Sequence, residues 1–191
     1  MKLGLMGGMF DPIHFGHLRA AENAREALDL DQVAFAPAAL PPHRAAPTAS
    51  AIDRYAMVSL ATAGDPRFVP WDGEIRREGP SYTVDTVEAL LSENPGAALT
   101  LIVGADNLAL LPQWKEPARL LALCTVAVVG RPGEAVAETR GLDPARVIHV
   151  EGSHLPIASS ALRERVRAGR SVRYLVPDAV AGYIEKRGLY R

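Results

Sequence analysis

The chain has little cysteine, little net charge and no long apolar run, and each of these features argues against particular classes of protein. One cysteine, Cys124, stands among 191 residues, so no disulfide can form within the chain. The formal net charge is −1, which argues against bulk binding of nucleic acid or of a membrane surface. No apolar run reaches membrane-spanning length, and no terminal segment has the pattern of a secretion signal. We therefore expect a cytoplasmic protein with no nucleic-acid partner and no membrane partner.

The composition is that of a globular protein. Apolar residues make up 48% of the chain and charged residues 23%. A chain of 191 residues is long enough for one domain with its own core, so we expect residues 1–191 to form a single domain. Cys124 lies in the apolar run "LLALCTVAVV", which predicts a buried packing role. The oligomeric state stays open, and a homo-oligomer is compatible with the sequence.

Strands and helices alternate along the chain. Five apolar runs have the length and bounds of buried strands: "KLGLM", "QVAFAP", "ALTLIVG", "TVAVVG" and "RVIHV". Amphipathic helices are predicted between them, over 17–28, 53–63 and 83–91. Such alternation predicts an α/β fold with an open, mainly parallel sheet and helices on both faces.

Two details of the helices can be predicted as well. In the first helix Leu18 and Ala21 fall on the apolar stripe, and Asn23 falls on the opposite face. The C-terminal part, from about 159 to 191, is predicted to be helical. Within it Pro177 is placed to start a helix and Gly188 to end one.

The stretch "LMGGMFDPIHFGHLRAA" concentrates unusual chemistry in the first turn of the chain. Gly7 and Gly8 follow the first strand, so backbone N–H groups can approach an anion, and the next helix adds unpaired donors at its N-terminus. His14 and His17, three apart, project to the same side, and Gly16 leaves room between them. Because open α/β sheets bind ligands at the carboxyl ends of their strands, we predict a phosphate site here.

Two alternatives remain for this stretch. It could be an ordinary turn with surface histidines, since it matches neither of the common glycine-rich phosphate motifs. His14 and His17 could also hold zinc, although their spacing is not the usual four and no third ligand is obvious. The combination of strand, paired glycines, paired histidines and helix favours the phosphate site.

At this point the sequence resembles a family. Residues 7–18, "GGMFDPIHFGHL", are similar to the opening of bacterial nicotinate-mononucleotide adenylyltransferases, of the H-x-G-H nucleotidyltransferase superfamily. Four more stretches resemble that family in the same order: "PPHR" (41–44), "SYTVDT" (81–86), "GADNLALLPQWKE" (104–116) and "IASSALRERV" (157–166). Met9, Arg44 and Ala158 depart from the usual residues of these motifs. None of the departures removes a histidine or the arginine of the last motif.

The resemblance implies a Rossmann-like nucleotidyltransferase fold and a reaction of NAD biosynthesis. ATP and nicotinate mononucleotide would give nicotinate adenine dinucleotide and pyrophosphate, with Mg²⁺ held mainly by the phosphates of ATP. The phosphate of the mononucleotide is already a competent nucleophile. Catalysis should therefore consist of positioning and of dispersing charge at the α-phosphorus.

The resemblance also implies residue roles at the ATP end. The catalytic residues would be His14, His17 and Arg163. The other ATP-binding residues would be Gly7, Gly8, Met9, Phe10, Ser159 and Ser160. Bound phosphates would favour the imidazolium form of either histidine. Ser159 or Ser160 could cap the last-motif helix, from which Arg163 would reach back; a capped helix with solvated arginines is the alternative.

The mononucleotide end has its own implied residues. His43 and Arg44 would contact the mononucleotide phosphate, and Tyr82 and Thr83 would offer main-chain N–H groups to the nicotinate carboxylate. Asp106 would bind ribose hydroxyls, unless it caps a helix, and Trp114 would stack on the pyridine ring, unless it belongs to the core.

Three rival functions stay open at this stage. The chain could be a related nucleotidyltransferase, for example one that acts on phosphopantetheine, but Trp114 and "SYT" argue against it. The chain could also be a non-catalytic nucleotide sensor. The intact His14, His17 and Arg163 argue against a sensor, but Met9, which departs from the family motif, leaves this function open. The third is a metal-dependent hydrolase. The preference for nicotinate over nicotinamide mononucleotide is not fixed by the sequence.

Overall fold

A computed structural model of the chain describes residues 1–42, 46–130, 143–153 and 155–191. Within them six strands form one sheet in the order β3-β2-β1-β4-β5-β6, and every neighbouring pair is parallel. The strands are β1 (Lys2–Gly8), β2 (Gln32–Pro37), β3 (Phe68–Pro70), β4 (Ala98–Gly104), β5 (Thr125–Val129) and β6 (Val147–Val150). The predicted open parallel sheet is confirmed.

Helices connect the strands. They are α1 (Phe15–Leu28), α2 (Ala51–Thr62), α3 (Gly73–Arg76), α4 (Thr83–Glu93), α5 (Ala105–Leu110), α6 (Pro117–Leu123), α7 (Ser159–Arg167) and α8 (Asp178–Arg187). Single 3₁₀ turns cover Leu111–Gln113 and Pro144–Arg146. The sequence pattern does not predict β3 or α3, because three or four residues are too few to show a period.

The sheet separates two apolar layers. Leu3 and Leu5 of β1 face the layer that contains α4 and α6, whereas Met6 faces the layer that contains α1, α2, α7 and α8. Strands covered on both faces bury nearly every side chain, which is why they form continuous apolar runs in the sequence. Cys124 is buried against α6, and burial raises the pKa of its thiol to about 12, as its predicted packing role requires.

One prediction for α1 is wrong. Asn23 was expected on the solvent face, but only 4% of it is exposed. Its side-chain amide donates to the carbonyl oxygen of Ser153 at 3.0 Å, and its Oδ1 accepts from Arg19 Nε at 2.7 Å. A Cβ at Gly152 would lie 2.3 Å from the Asn23 side chain. The segment after β6 therefore packs closely on α1 and needs a polar partner there.

The C-terminal helices follow the sequence pattern. Pro177 occupies the N-cap of α8, and Gly188 ends it in the left-handed conformation, at φ 62°. Leu162 of α7 and Ile184 of α8 belong to the layer that contains α1 and α2. In the ranges that the structure describes, no helix combines the length and the apolar character that crossing a membrane would demand.

Candidate active site

A cleft of about 790 Å³ opens at the carboxyl ends of β1 and β4. The chain continues from β1 to β2 on one side, and β4 lies on the other, so the strand order reverses at this point. In open α/β sheets, ligands bind at such a switch point. The cleft brings together most of the predicted site residues: Gly7, Gly8, Met9, Phe10, His14, His17, Thr83, Asp106, Trp114, Ser159, Ser160 and Arg163. His43 and Arg44 lie outside the described residues.

We call residues 7–14 the phosphate loop, since it is the segment for which an anion site was predicted. A Cβ at Gly8 would lie 3.1 Å from the ring of Phe10, so a glycine suits this position. Phe10 itself is buried and has a φ of 46°, an unusual conformation for a side-chain-bearing residue. Its ring meets the His17 ring edge-on, with the centroids 5.1 Å apart. The loop therefore curls tightly under His17.

The two histidines form one unit. His14 is the N-cap of α1 and is 5% exposed, whereas His17 lies in the first turn and is half-buried. Their rings stack with centroids 3.7 Å apart. The backbone N–H of His14 donates to Nδ1 of His17 at 3.3 Å. This bond assigns Nδ1 as the acceptor of a neutral His17 ring and leaves Nε2 to carry the proton.

Both imidazoles are neutral at pH 7 in the unliganded protein. Burial lowers the pKa of His14 to about 4. Burial, together with the neighbouring His14, also lowers the pKa of His17. An imidazolium in this cleft therefore needs an anion beside it to raise the pKa again.

Neighbouring protein atoms leave no space for a side chain at Gly16. A Cβ there would lie 2.9 Å from Nδ1 of His14 and 3.2 Å from the carbonyl oxygen of Leu155. The His14 ring and the Leu155 backbone therefore both pack closely against Gly16. The space that was expected to receive a ligand next to Gly16 is thus partly filled by the chain itself.

Helix α7 meets the phosphate loop directly. Its N-cap is Ala158, so the prediction that Ser159 or Ser160 caps the helix is wrong. Ser159 is already the first residue of the helix, one position past the N-cap, and its hydroxyl donates to the carbonyl oxygen of Pro12 at 2.9 Å. Arg163 Nη1 donates to the carbonyl oxygen of Asp11 at 2.8 Å. This arginine is thus brought to the same cradle as the histidines.

Two buried nitrogen atoms at this cradle have no hydrogen-bond partner among the described residues. They are Nδ1 of His14 and Nε of Arg163. Both atoms are buried, so neither is exposed on the surface of the cleft.

The far side of the cleft carries the aromatic residue and the start of α4. Trp114 follows the 3₁₀ turn, packs partly on the α4 and α6 layer, and also lines the cleft, so it belongs to both. Thr83 is the first residue of α4, where backbone N–H groups lack intrahelical acceptors. The N–H of Tyr82 instead donates to the carbonyl oxygen of Pro80 at 3.1 Å. Tyr82 is therefore not a free donor in this state.

Asp106 stands exposed at the rim of the cleft, in the first turn of α5. The N-cap of α5 is Gly104, so Asp106 does not serve as the N-cap residue. Its carboxylate is placed to accept hydrogen bonds from a ligand in the cleft.

Sequence reasoning missed two buried charged residues beside the site. Arg54, at 0% exposure, donates from Nη1 to the carbonyl oxygen of Met9 at 2.7 Å. Its spacing from Met57 and Val58 places it on the buried stripe of α2 and could have indicated this. Glu74 lines the cleft and accepts from the Thr86 hydroxyl at 2.7 Å, and burial raises its pKa. No pattern could have indicated Glu74, because α3 has only four residues.

Within the ranges that the structure covers, the acidic, histidine and cysteine side chains do not assemble into a metal site. Among the residues that the structure describes, no group of three or more of them could hold a metal ion. His14 and His17 thus have no third protein ligand within those ranges.

Fold and cleft together define a nucleotide-binding α/β protein with a built anion cradle. The chain matches the model of the cytidylyltransferase-like family over residues 5–165. A relative from Thermus thermophilus is 48% identical over 191 residues, which cover both chains completely. A relative from Geobacillus kaustophilus is 44% identical over 190 residues, covering 99% of this chain and 86% of that one. Both are named probable nicotinate-nucleotide adenylyltransferase.

Solved structures share the fold. Nicotinic acid mononucleotide adenylyltransferase from Plasmodium falciparum, complexed with APC, has a TM-score of 0.80 at 16% identity and covers 99% of this chain and 96% of that one. The same enzyme complexed with NaAD has a TM-score of 0.78, with 99% and 97% covered. The chain belongs to the cytidylyltransferase-like family and, within it, to the nicotinate-nucleotide adenylyltransferases. The resemblance that the motifs indicate is confirmed.

Proposed function

We propose that this chain transfers the adenylyl group of ATP to the phosphate of nicotinate mononucleotide. An acceptor phosphate oxygen forms a bond to the α-phosphorus while the bond to the bridging oxygen breaks and pyrophosphate leaves. The observation that carries the proposal is the convergence of an anion cradle, with His14 and Arg163, and an aromatic wall, Trp114, in one cleft. We place the reaction in the cytoplasm, where ATP is available.

At the ATP end, this chain binds phosphates and disperses charge. The phosphate-loop amides and the N-terminus of α1 face the anion, and His14 takes up a proton as the phosphates approach. Nε2 of His17 then donates to a phosphate oxygen at which negative charge develops. Arg163 adds a planar guanidinium from α7. No covalent intermediate is needed.

At the acceptor end, the chain orients the mononucleotide. Trp114 offers a flat surface to the pyridine ring, and the N–H of Thr83 offers a donor to the nicotinate carboxylate. Asp106 accepts from ribose hydroxyls at the rim. His43 and Arg44, which lie outside the described residues, are proposed to contact the mononucleotide phosphate. These roles together favour nicotinate over nicotinamide, since the amide would place its own donor against the N–H group.

Mg²⁺ is part of the proposal as a cofactor bound mainly by the phosphates of ATP. The donor set fits this, because the acidic residue deepest in the cleft, Asp11, already accepts three hydrogen bonds from protein groups. When bound, the ion would neutralise phosphate charge and help pyrophosphate to leave. The chain would contribute its backbone amides, imidazoles and guanidinium around it.

The decisive experiment incubates the purified chain with ATP, Mg²⁺ and either mononucleotide, and follows pyrophosphate and dinucleotide. We expect stoichiometric formation of both products and a preference of at least about tenfold in kcat/KM for nicotinate mononucleotide, which one charge-assisted contact can supply.

The controls distinguish the rivals. Pyrophosphate released without a mononucleotide would indicate a hydrolase. Turnover with phosphopantetheine instead of a mononucleotide would indicate the related transferase, and ATP binding with no transfer to either acceptor would indicate a sensor.

A further inference from the structure

The next-to-last residue of the chain reaches the phosphate loop. Tyr190 is 5% exposed, and its hydroxyl donates to Oδ1 of Asp11 at 2.8 Å. Asp11 is 2% exposed and lines the cleft. Tyr190 also has a φ of 66°, a conformation that a non-glycine residue keeps only where its surroundings determine it. The end of the chain is thus held in a specific position against the site.

Asp11 connects the loop to several distant segments. Its Oδ2 accepts from the N–H of Thr48 at 2.7 Å, and its Oδ1 accepts from the N–H of Ala49 at 3.1 Å. Arg163 Nη1 lies 3.9 Å from Oδ2. A buried carboxylate is tolerated only where its oxygens are satisfied, so the position of Asp11 depends on all of these donors at once.

We propose that Tyr190 is a positioning residue of the adenylyl transfer: its hydroxyl fixes the Asp11 carboxylate and, through it, the phosphate loop and the Thr48–Ala49 segment. The inference rests on the proposed function. Tyr190 touches no substrate in this account. Without its hydroxyl, Asp11 keeps its main-chain donors but loses the donor that fixes its Oδ1 from the side of α8. The loop then samples positions in which its amides and the two histidines point away from the α-phosphate.

The same protein contains a matched control pair. Tyr183 of α8 donates from its hydroxyl to Oδ1 of Asp53 at 2.9 Å. Asp53 is also buried, at 8% exposure, and lies in α2 rather than in the phosphate loop. The Tyr183–Asp53 bond therefore has the same chemistry as the Tyr190–Asp11 bond, but neither Tyr183 nor Asp53 lines the cleft.

The test compares Tyr190→Phe with Tyr183→Phe in the full chain. ATP dissociation constants are measured by calorimetry, kcat and KM by steady-state kinetics, and unfolding by urea. We expect Tyr190→Phe to lower kcat about tenfold and to weaken ATP binding several-fold, because small displacements of positioned groups are costly to rate. Tyr183→Phe should keep both within about twofold of the unmodified chain while losing comparable stability. Unchanged kinetics in Tyr190→Phe, or equal kinetic losses in both variants, would overturn the proposal.

A double-mutant cycle with Asp11→Asn tests the route. If Tyr190 acts through Asp11, Tyr190→Phe adds less than about twofold in the Asp11→Asn background; independent, multiplying effects would contradict this. Hydrogen exchange gives a readout that does not need turnover: the backbone amides of residues 9–11 should exchange faster in Tyr190→Phe than in Tyr183→Phe. Uniformly faster exchange would mean a structural role only. If the unmodified chain makes no dinucleotide, the proposed function fails, while ATP calorimetry and exchange still decide the role of Tyr190.

Discussion

Replacing His14 with glutamine should remove a pH dependence from the stability of the protein. The His14 ring is buried, at 5% exposure, and is packed against the His17 ring and Gly16. Burial lowers its pKa to about 4 from the ordinary value of 6.5. Between these two pH values the His14 ring binds a proton in the unfolded chain but not in the folded chain. The stabilising contribution of the neutral ring is therefore complete above about pH 6.5 and is lost as the pH falls toward 4.

The size of the effect follows from the two pKa values. At pH 5 the linkage amounts to about 2 kcal/mol, and below pH 4 it levels off near 3 kcal/mol. Carboxylates add their own pH dependence, so the quantity of interest is the difference between the unmodified chain and His14→Gln. Urea unfolding at pH 7.5 and at pH 5.0 supplies that difference at each pH.

We expect the advantage of the unmodified chain over His14→Gln to shrink by about 2 kcal/mol between pH 7.5 and pH 5.0. The exposed His149 supplies a control, because His149→Gln removes an imidazole that solvent can reach. Parallel stability curves for the unmodified chain and His14→Gln would refute the argument that burial keeps this ring neutral.

Three further predictions concern the proposed reaction. His17→Ala should lower kcat by roughly 100-fold with a modest change in ATP affinity, the cost of one electrostatic donor, and a change confined to KM would contradict this. Arg163→Lys keeps the charge but loses the planar fork, so kcat/KM for ATP should fall about tenfold, whereas Arg165→Lys on the same helix, bonded to the Ser171 carbonyl oxygen, should change little. Trp114→Ala should raise KM for the mononucleotide and leave KM for ATP nearly unchanged in steady-state kinetics; equal increases in both would remove Trp114 from the pyridine pocket.

The parts of the fold and site that could be predicted are those encoded within a short stretch of sequence. The strand, the glycines, the histidine pair and α1 occupy consecutive positions, so their periodicity and spacing determine where they lie relative to one another. Pro177 and Gly188 are equally local, since each acts through its own backbone dihedral angles.

The parts that could not be predicted depend on a partner far along the chain. Asn23 is buried because Ser153 presents a carbonyl oxygen to it. Ser159 lies within α7 rather than at its N-cap, and its hydroxyl donates to the carbonyl oxygen of Pro12, 147 positions away in sequence. In neither case does the surrounding sequence reveal the distant acceptor.

The bond between Asp11 and Tyr190 also has a consequence for how the protein folds during its synthesis. The two residues are 179 positions apart. At 5–20 residues per second, a ribosome adds Tyr190 roughly 9–36 s after Asp11. Until Tyr190 is added, the carboxylate lacks one of its three hydrogen-bond donors, although the N–H groups of Thr48 and Ala49 are already present. A nascent chain can therefore build β1, α1 and most of the sheet before the Tyr190 hydroxyl reaches Asp11.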